Sequence, residues 1–141
     1  MPTWKLPLAA LLTAAIALTL SACGGGDSAT TQAANSVKIG FIVKAPDEPW
    51  FQREWRFADA TAAKDGFQVI HAQGQDGEKV SAAIQNLSVQ GAQGFVICTP
   101  DVKLGPAIMA QAKQNNMKVI AVDDQFEGAD GKPMTDVPYL G

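Results

Sequence analysis

The sequence predicts an α/β fold with a parallel sheet, and two observations support this fold class. Four short apolar runs recur at similar intervals between residues 37 and 122, separated by amphipathic segments long enough for helices. The apolar runs lack strict alternation of apolar and polar residues, as is typical of strands covered on both faces. Strands that alternate with helices form βαβ units with right-handed crossovers. We therefore expect a three-layer sandwich of Rossmann-like type.

The first two predicted strands are Val37–Val43 and Phe67–His71. A helix between them ends at Gly66, because glycine is favoured directly after a helix C-terminus. Asp76 is placed to cap a second helix, which ends before Gly91. Both helices have apolar residues at intervals of three and four, which places them on one face. These are Phe51, Trp55, Ala58 and Ala62 in the first helix, and Val80, Ala83, Ile84 and Leu87 in the second.

The later strands follow the same pattern. Gly94–Cys98 predicts the third strand and Lys118–Val122 the fourth. The helix between them places Leu104, Ile108 and Ala112 on its buried face. Another apolar strand begins near residue 137, and residues 37–141 provide enough chain for one compact domain but not for two.

The N-terminus predicts an export signal. After a lysine, residues 6–20 form an apolar stretch that is shorter than the roughly 20 residues of a membrane-spanning helix. Residues 20–23 (LSAC) resemble the lipobox of bacterial lipoproteins, in which the cysteine becomes lipidated; the alternative is an ordinary signal peptide with a chance cysteine. We expect a membrane-anchored domain outside the cytoplasm, with a lipoprotein signal peptide in residues 1–22 and a flexible tether, lipidated at Cys23, in residues 23–36.

Composition excludes one class of partner. The net charge is −3 with acidic and basic residues interspersed, so the chain lacks the basic surface of a nucleic-acid-binding protein. If Cys23 carries lipid, the other cysteine, Cys98, has no disulfide partner. No cofactor and no metal are expected.

Charged side chains and a tryptophan collect where two predicted strands end. Lys44, Glu48 and Trp50 follow the first strand, and Asp123 and Asp124 follow the fourth. Because ligands in open α/β folds bind at the carboxyl ends of the strands, we expect these residues to line one site. Lysine offers only donors, carboxylates offer only acceptors, and the indole offers a flat apolar face. This combination suits a small, neutral, polyhydroxylated ligand such as a sugar.

Each of these residues also has an ordinary structural explanation. Lys44 could be a solvated lysine. Glu48 could favour the dipole of a helix that begins at Pro49, without any ligand. Trp50 could be a core residue packed on the sheet, and the tandem aspartates could cap a turn. Cys98 could be a small buried hydrophobe.

Five runs resemble a known family: residues 40–44 (GFIVK), 48–51 (EPWF), 94–101 (GFVICTPD), 119–126 (VIAVDDQF) and 131–134 (GKPM). Together they make the stretch from Val37 to Leu140 similar to the N-terminal half of bacterial L-arabinose-binding proteins, in the type I periplasmic sugar-binding family. The resemblance implies the first lobe of a type I periplasmic binding protein fold, in which two hinged lobes close on the ligand. It also implies that the second lobe is absent, that the chain is truncated, and that part of the first lobe's core is uncovered.

The resemblance implies a role for each residue of the predicted site. Those matching Phe51 and Cys98 line the pocket in the family, and the others contact the sugar. We expect hydroxyl or ring oxygens at Lys44 and Asp124, hydroxyls donating to Glu48 and Asp123, and a sugar ring stacked on Trp50.

The resulting hypothesis is the solute-binding component of an ABC sugar importer, not an enzyme, that binds L-arabinose or a related monosaccharide. The expected partners are the monosaccharide, the ABC permease subunits and, as an additional candidate, a chemoreceptor. One alternative is a galactose- or ribose-type sugar receptor for chemotaxis. Another, of a different class, is a glycosidase that pairs Glu48 with Asp123 or Asp124. Against the glycosidase, the nearby lysine is expected to keep both acids ionised.

Two further classes are disfavoured by the residues themselves. A nucleotide-binding enzyme needs a glycine-rich loop after the first strand, whereas residues 44–49 (KAPDEP) place two acids where a pyrophosphate would lie. A sugar-responsive transcription regulator carries a helix-turn-helix at its N-terminus, where this chain has the predicted export signal.

Overall fold

The computed structural model describes residues 36–141. The predicted signal peptide, nearly all of the predicted tether and Cys23 lie outside the described residues. Within them, four long strands alternate with three helices, and a short strand follows. In chain order these are β1 Lys38–Val43, α1 Pro49–Asp65, β2 Gln68–Gln73, α2 Gly77–Val89, β3 Gly94–Ile97, a 3₁₀ turn Val102–Leu104, α3 Gly105–Gln114, β4 Lys118–Val122 and β5 Tyr139–Leu140.

The strands form one parallel sheet in the order β2-β1-β3-β4-β5. Successive residues of β1 face opposite sides of this sheet, because side chains alternate along a strand. Ile42 packs with α2 and α3, whereas Val43 packs with Phe51 of α1. Helices therefore lie on both faces, and the predicted three-layer α/β architecture is confirmed.

Local signals placed the helix ends correctly. Gly66 ends α1 in the left-handed conformation, with φ of 78°. The Asp76 side chain accepts a hydrogen bond from the Lys79 amide at 2.8 Å, which caps α2. The predicted bounds of β2 were wrong, because this strand pairs with β1 from Gln68 to Gln73 and so continues past His71.

The two faces of the sheet are packed unequally. On the α2–α3 face, Ile42, Leu87 and Ile97 belong to one large cluster of buried side chains. On the α1 face, the buried cluster within residues 36–141 is smaller and consists of Val43, Phe51 and Cys98. Beside it lies an apolar groove of about 240 Å³ over β1, β3 and β4. Strand residues are thus covered on both faces only in part.

None of the helices in residues 36–141 is long and apolar enough to cross a membrane.

Candidate functional site

The predicted site residues after β1, β3 and β4 meet at the carboxyl edge of the sheet. Lys44 Nζ donates a hydrogen bond to Asp124 Oδ2 at 2.5 Å. The Cys98 thiol donates to the same carboxylate oxygen at 3.2 Å. Parallel strands bring these residues together, because all their carboxyl ends open on one edge. The Asp124 carboxylate is therefore held by two donors from two different strands.

Trp50 joins this cluster from the first turn of α1. Pro49 begins the helix, where its missing N–H costs nothing. The indole Nε1 of Trp50 donates to Asp123 Oδ2 at 3.3 Å, and the side chain stays 56% exposed. Trp50 is thus not a core residue. An exposed indole lies directly beside the tandem aspartates.

Asp123 is held by its backbone as well as by its side chain. Its φ is 61°, a left-handed conformation that aspartate tolerates better than most residues. Its N–H donates to the Leu140 carbonyl at 2.9 Å, and its own carbonyl accepts from the Tyr139 hydroxyl at 3.1 Å. Strained backbone persists where the surroundings fix it, and it is common at binding sites.

The pKa values of Lys44 and Cys98 agree with this arrangement. Burial lowers the pKa of Lys44, but the hydrogen bond to Asp124 and the nearby negative charges outweigh it, and the net shift is upward. Burial raises the pKa of the Cys98 thiol, and the hydrogen bond to Asp124 raises it further. Lys44 is therefore charged and Cys98 neutral at physiological pH.

A third carboxyl belongs to the cluster. Glu54 lies one turn beyond Trp50 on α1, and its carboxyl interacts with the Asp123 carboxyl. Its Oε2 atom is buried and has no hydrogen-bond partner in the described part of the chain. Burial, followed by the charge and the hydrogen bond of Asp123, raises the pKa of Glu54 to about 7.

This edge offers an ammonium donor, carboxylate acceptors and an exposed aromatic face within a few ångströms. Neutral hydroxyl groups, which both donate and accept, match such a surface.

A separate cavity of about 380 Å³ lies between β2 and α2 and shares no residue with the cluster. Among residues 36–141, no group of three or more His, Cys, Asp or Glu side chains is placed to hold a metal ion.

Comparison with known proteins shows to which family this chain belongs. Residues 36–140 match the family described as periplasmic binding proteins and sugar-binding domain of the LacI family. The chain belongs to this family. The fold agrees: the Caulobacter myo-inositol binding protein bound to myo-inositol superposes with a TM-score of 0.65 at 25% identity, covering 77% of this chain and 36% of that one.

Two curated members of the family are close in sequence. The L-arabinose-binding periplasmic protein of Escherichia coli (strain K12) is 59% identical over 107 residues, which is 76% of this chain and 32% of that protein. The ABC transporter L-arabinose-binding periplasmic protein of Azospirillum brasilense is 56% identical over 105 residues, covering 74% and 31%. The chain thus spans about a third of the length of the curated relatives it matches. Both relatives are binding proteins.

The remaining predicted site residues occupy different positions around the cluster. Glu48 precedes α1, and its exposed carboxylate makes no capping hydrogen bond to the helix. Phe51 is only 5% exposed and packs beneath the site against Val43 and Cys98. Phe51 and Cys98 therefore support the edge from below, while Glu48 is exposed two residues before Trp50 and, within residues 36–141, makes no hydrogen bond to the cluster.

Sequence reasoning missed Glu54. The signal that could have found it is its spacing of four from Trp50, which puts both side chains on the same face of α1. Apolar periodicity identifies only the buried face of α1, and it gives no signal for a glutamate on the side that faces the site.

Proposed function

We propose that this chain is the sugar-binding lobe of an ABC importer's solute-binding protein, specific for L-arabinose or a related monosaccharide, and that it catalyses no reaction. The observation that supports this most is the edge cluster itself, in which Lys44 pairs with Asp124 and the exposed Trp50 donates to the adjacent Asp123. Family membership and the curated relatives point to the same ligand class.

Each residue has a distinct part in the proposed binding. Lys44 and Asp124, already paired, present one donor and one acceptor to ring or hydroxyl oxygens. Asp123 and Glu48 accept from hydroxyls, and Trp50 covers the C–H face of the sugar ring. Hydrogen bonds to charged groups contribute about 1.5–3 kcal/mol each, so a few of them account for tight binding of a neutral ligand.

The glycosidase alternative is weakened by the geometry of the acids. That alternative pairs Glu48 with Asp123 or Asp124, and one acid of such a pair must donate a proton. Asp124 instead accepts hydrogen bonds from Lys44 and Cys98, and Asp123 accepts one from Trp50. Although Glu54 is the acid with a raised pKa, its position suits support of Asp123 better than acid catalysis.

Localisation is part of the same proposal. We propose export across the cytoplasmic membrane, lipidation at Cys23, a tether in residues 23–36, and delivery of the sugar to ABC permease subunits or a chemoreceptor. Mass spectrometry of the N-terminal peptide tests the lipid: a diacylglyceryl mass on Cys23, lost in Cys23→Ser, is expected. An unmodified cysteine at the mature N-terminus would contradict it.

Calorimetry with the protein expressed from the complete gene tests the central proposal. L-Arabinose, D-galactose, D-fucose, D-xylose and D-ribose form the series, and at least one is expected to bind with a Kd of about 1 μM or tighter, near −8 kcal/mol. The absence of heat with every aldose would overturn the proposal. The 141-residue chain is expected to bind weakly, since it spans only 32% of the Escherichia coli relative.

Fluorescence provides a second test that reports on the site itself. Trp50 is exposed at the edge, whereas Trp55 stacks on His71 with ring centroids 4.5 Å apart. Trp50→Phe is therefore expected to remove the sugar-dependent emission change, and Trp55→Phe to preserve it. An unchanged titration in Trp50→Phe would exclude this indole from the site.

A further inference from the structure

The Glu54 carboxyl has an unusual environment for an acid on the side of a surface helix. It lies one turn of α1 beyond Trp50, whose indole donates to Asp123. It interacts with the Asp123 carboxyl, and its Oε2 atom is buried without a hydrogen-bond partner in residues 36–141. An ionised carboxylate oxygen without a donor is costly to bury. Two carboxylates in contact also disfavour double ionisation, because like charges at this distance repel.

A single proton removes both difficulties. A protonated Glu54 can donate its O–H to the Asp123 carboxylate, while the Trp50 N–H donates to Asp123 Oδ2. The Asp123 side chain then has two fixed donors, one from each of two residues a turn apart on α1. Its backbone is fixed independently by the hydrogen bonds to Leu140 and Tyr139.

The other charged groups around Glu54 do not reverse its preference for the protonated form. Lys44 favours the ionised form, but Asp124 already neutralises that ammonium at 2.5 Å. The Cys98 thiol donates to Asp124 and carries no charge. Burial and Asp123 dominate, and they raise the pKa of Glu54 to about 7.

We propose that Glu54 is a positioning residue whose proton holds the Asp123 carboxylate and the Trp50 indole in the ligand-binding arrangement, so that sugar affinity falls as pH rises through neutrality. This inference rests on the proposed sugar-binding function. When Glu54 ionises, it repels Asp123; because the Asp123 backbone is fixed, its side chain rotates away from Glu54 and from the Trp50 N–H. The ligand then loses one ordered acceptor and the stacking surface that the indole provides.

The first test is the Kd for L-arabinose between pH 5.5 and pH 8.5, measured with the protein from the complete gene. The wild-type Kd is expected to rise about five- to tenfold over this range. Glu54→Gln is expected to bind as the wild type does at low pH and to show a flat profile, since an amide N–H donates to Asp123 at every pH. Glu54→Leu is expected to bind weakly at every pH. A purely structural role for Glu54 would leave the wild-type profile flat.

His71 requires a matched control, because histidine also changes charge in this pH range. It contacts Asp59 at 2.9 Å and stacks on Trp55, away from Asp123. His71→Phe keeps an aromatic ring there without a titrating group. We expect it to retain the wild-type pH profile; a flat profile in His71→Phe with an unchanged one in Glu54→Gln would overturn the assignment to Glu54.

The second test needs no sugar. With ¹³C-labelled glutamate, the carboxyl resonance that disappears in Glu54→Gln is expected to titrate near neutrality in the ligand-free protein. A midpoint below about 5 would overturn the inference even if sugar binds. Conversely, a neutral midpoint in a protein that binds no aldose would overturn the proposed function and leave the Glu54–Asp123 proton in place.

Discussion

The α2–α3 face and the α1 face of the same sheet differ in how completely they are packed. Ile42, Leu87 and Ile97 are at most 1% exposed within the large cluster on the α2–α3 face. On the α1 face, Ile120 is 44% exposed beside the apolar groove, and the buried cluster is small. The candidate site lies at the edge of this second, less completely packed face. One face thus provides most of the stability, and the other provides the binding residues.

This division explains why the site can contain strained and charged groups. A left-handed Asp123 and a partly buried Lys44–Asp124 pair each cost free energy. The cost is tolerable because the large cluster on the opposite face does not depend on either of them. Substitutions on the two faces should therefore separate stability from binding.

The largest expected effect is on stability, at β3. Ile97→Ala removes a fully buried side chain from the large cluster and should lower the free energy of unfolding by about 3–4 kcal/mol. Its neighbour Val96 faces the groove on the opposite side and is only partly buried. Val96→Ala should cost about 1 kcal/mol. Urea denaturation measures both; equal losses would show that the two faces are equally important for folding.

The next largest effect is expected at the candidate site, where a substitution should change the affinity for sugar more than the free energy of unfolding. Lys44→Met removes the donor to Asp124 and one expected ligand contact, so the affinity for L-arabinose should fall by about 2 kcal/mol, roughly thirtyfold. The loss of folding stability should be smaller, because both partners are about a third exposed, at 34% and 29%.

Lys132→Met is the matched control for Lys44→Met. Lys132 also faces an aspartate, Asp130, but at 3.6 Å and with 79% exposure of the lysine side chain. It should leave both affinity and stability unchanged. An equal loss of affinity in the two variants would indicate a general effect of charge instead of a contact at the site.

Much of this site can be predicted from the sequence, because most of its residues directly follow strands that the sequence identifies. Lys44 and Asp123–Asp124 are separated widely along the chain, yet parallel topology brings the ends of β1 and β4 to one edge. The interaction of Glu54 with Asp123 cannot be predicted from the sequence, because it depends on how α1 is rotated against the sheet. Likewise, the φ of 61° at Asp123 depends on the pairing of β5, whose two residues give a weak sequence signal.

A smaller change is expected in how the free energy of unfolding depends on pH, because Glu54 on α1 titrates in the folded protein. Because the pKa of Glu54 is raised to about 7 in the folded protein from 4.5, its stabilising contribution is complete below about 4.5 and is lost as pH rises through about 7. Glu54→Gln does not ionise, so it should be about 1 kcal/mol more stable than the wild type at pH 8.5, after allowance for solvent exposure. At pH 4 the two should unfold alike. Greater stability of the wild type at pH 8.5 would reverse the sign and contradict the assigned shift.

The smallest effect is expected in the groove on the α1 face. Ile120→Thr replaces a side chain that is already 44% exposed, so the free energy of unfolding should change by less than about 0.5 kcal/mol. Val119, the preceding residue of β4, points to the other face and is 6% exposed. Val119→Thr buries a hydroxyl there and should cost about 1–2 kcal/mol. A large loss in Ile120→Thr, measured by the same urea titration, would mean that the groove is covered in solution, and the contrast between the two faces would then need revision.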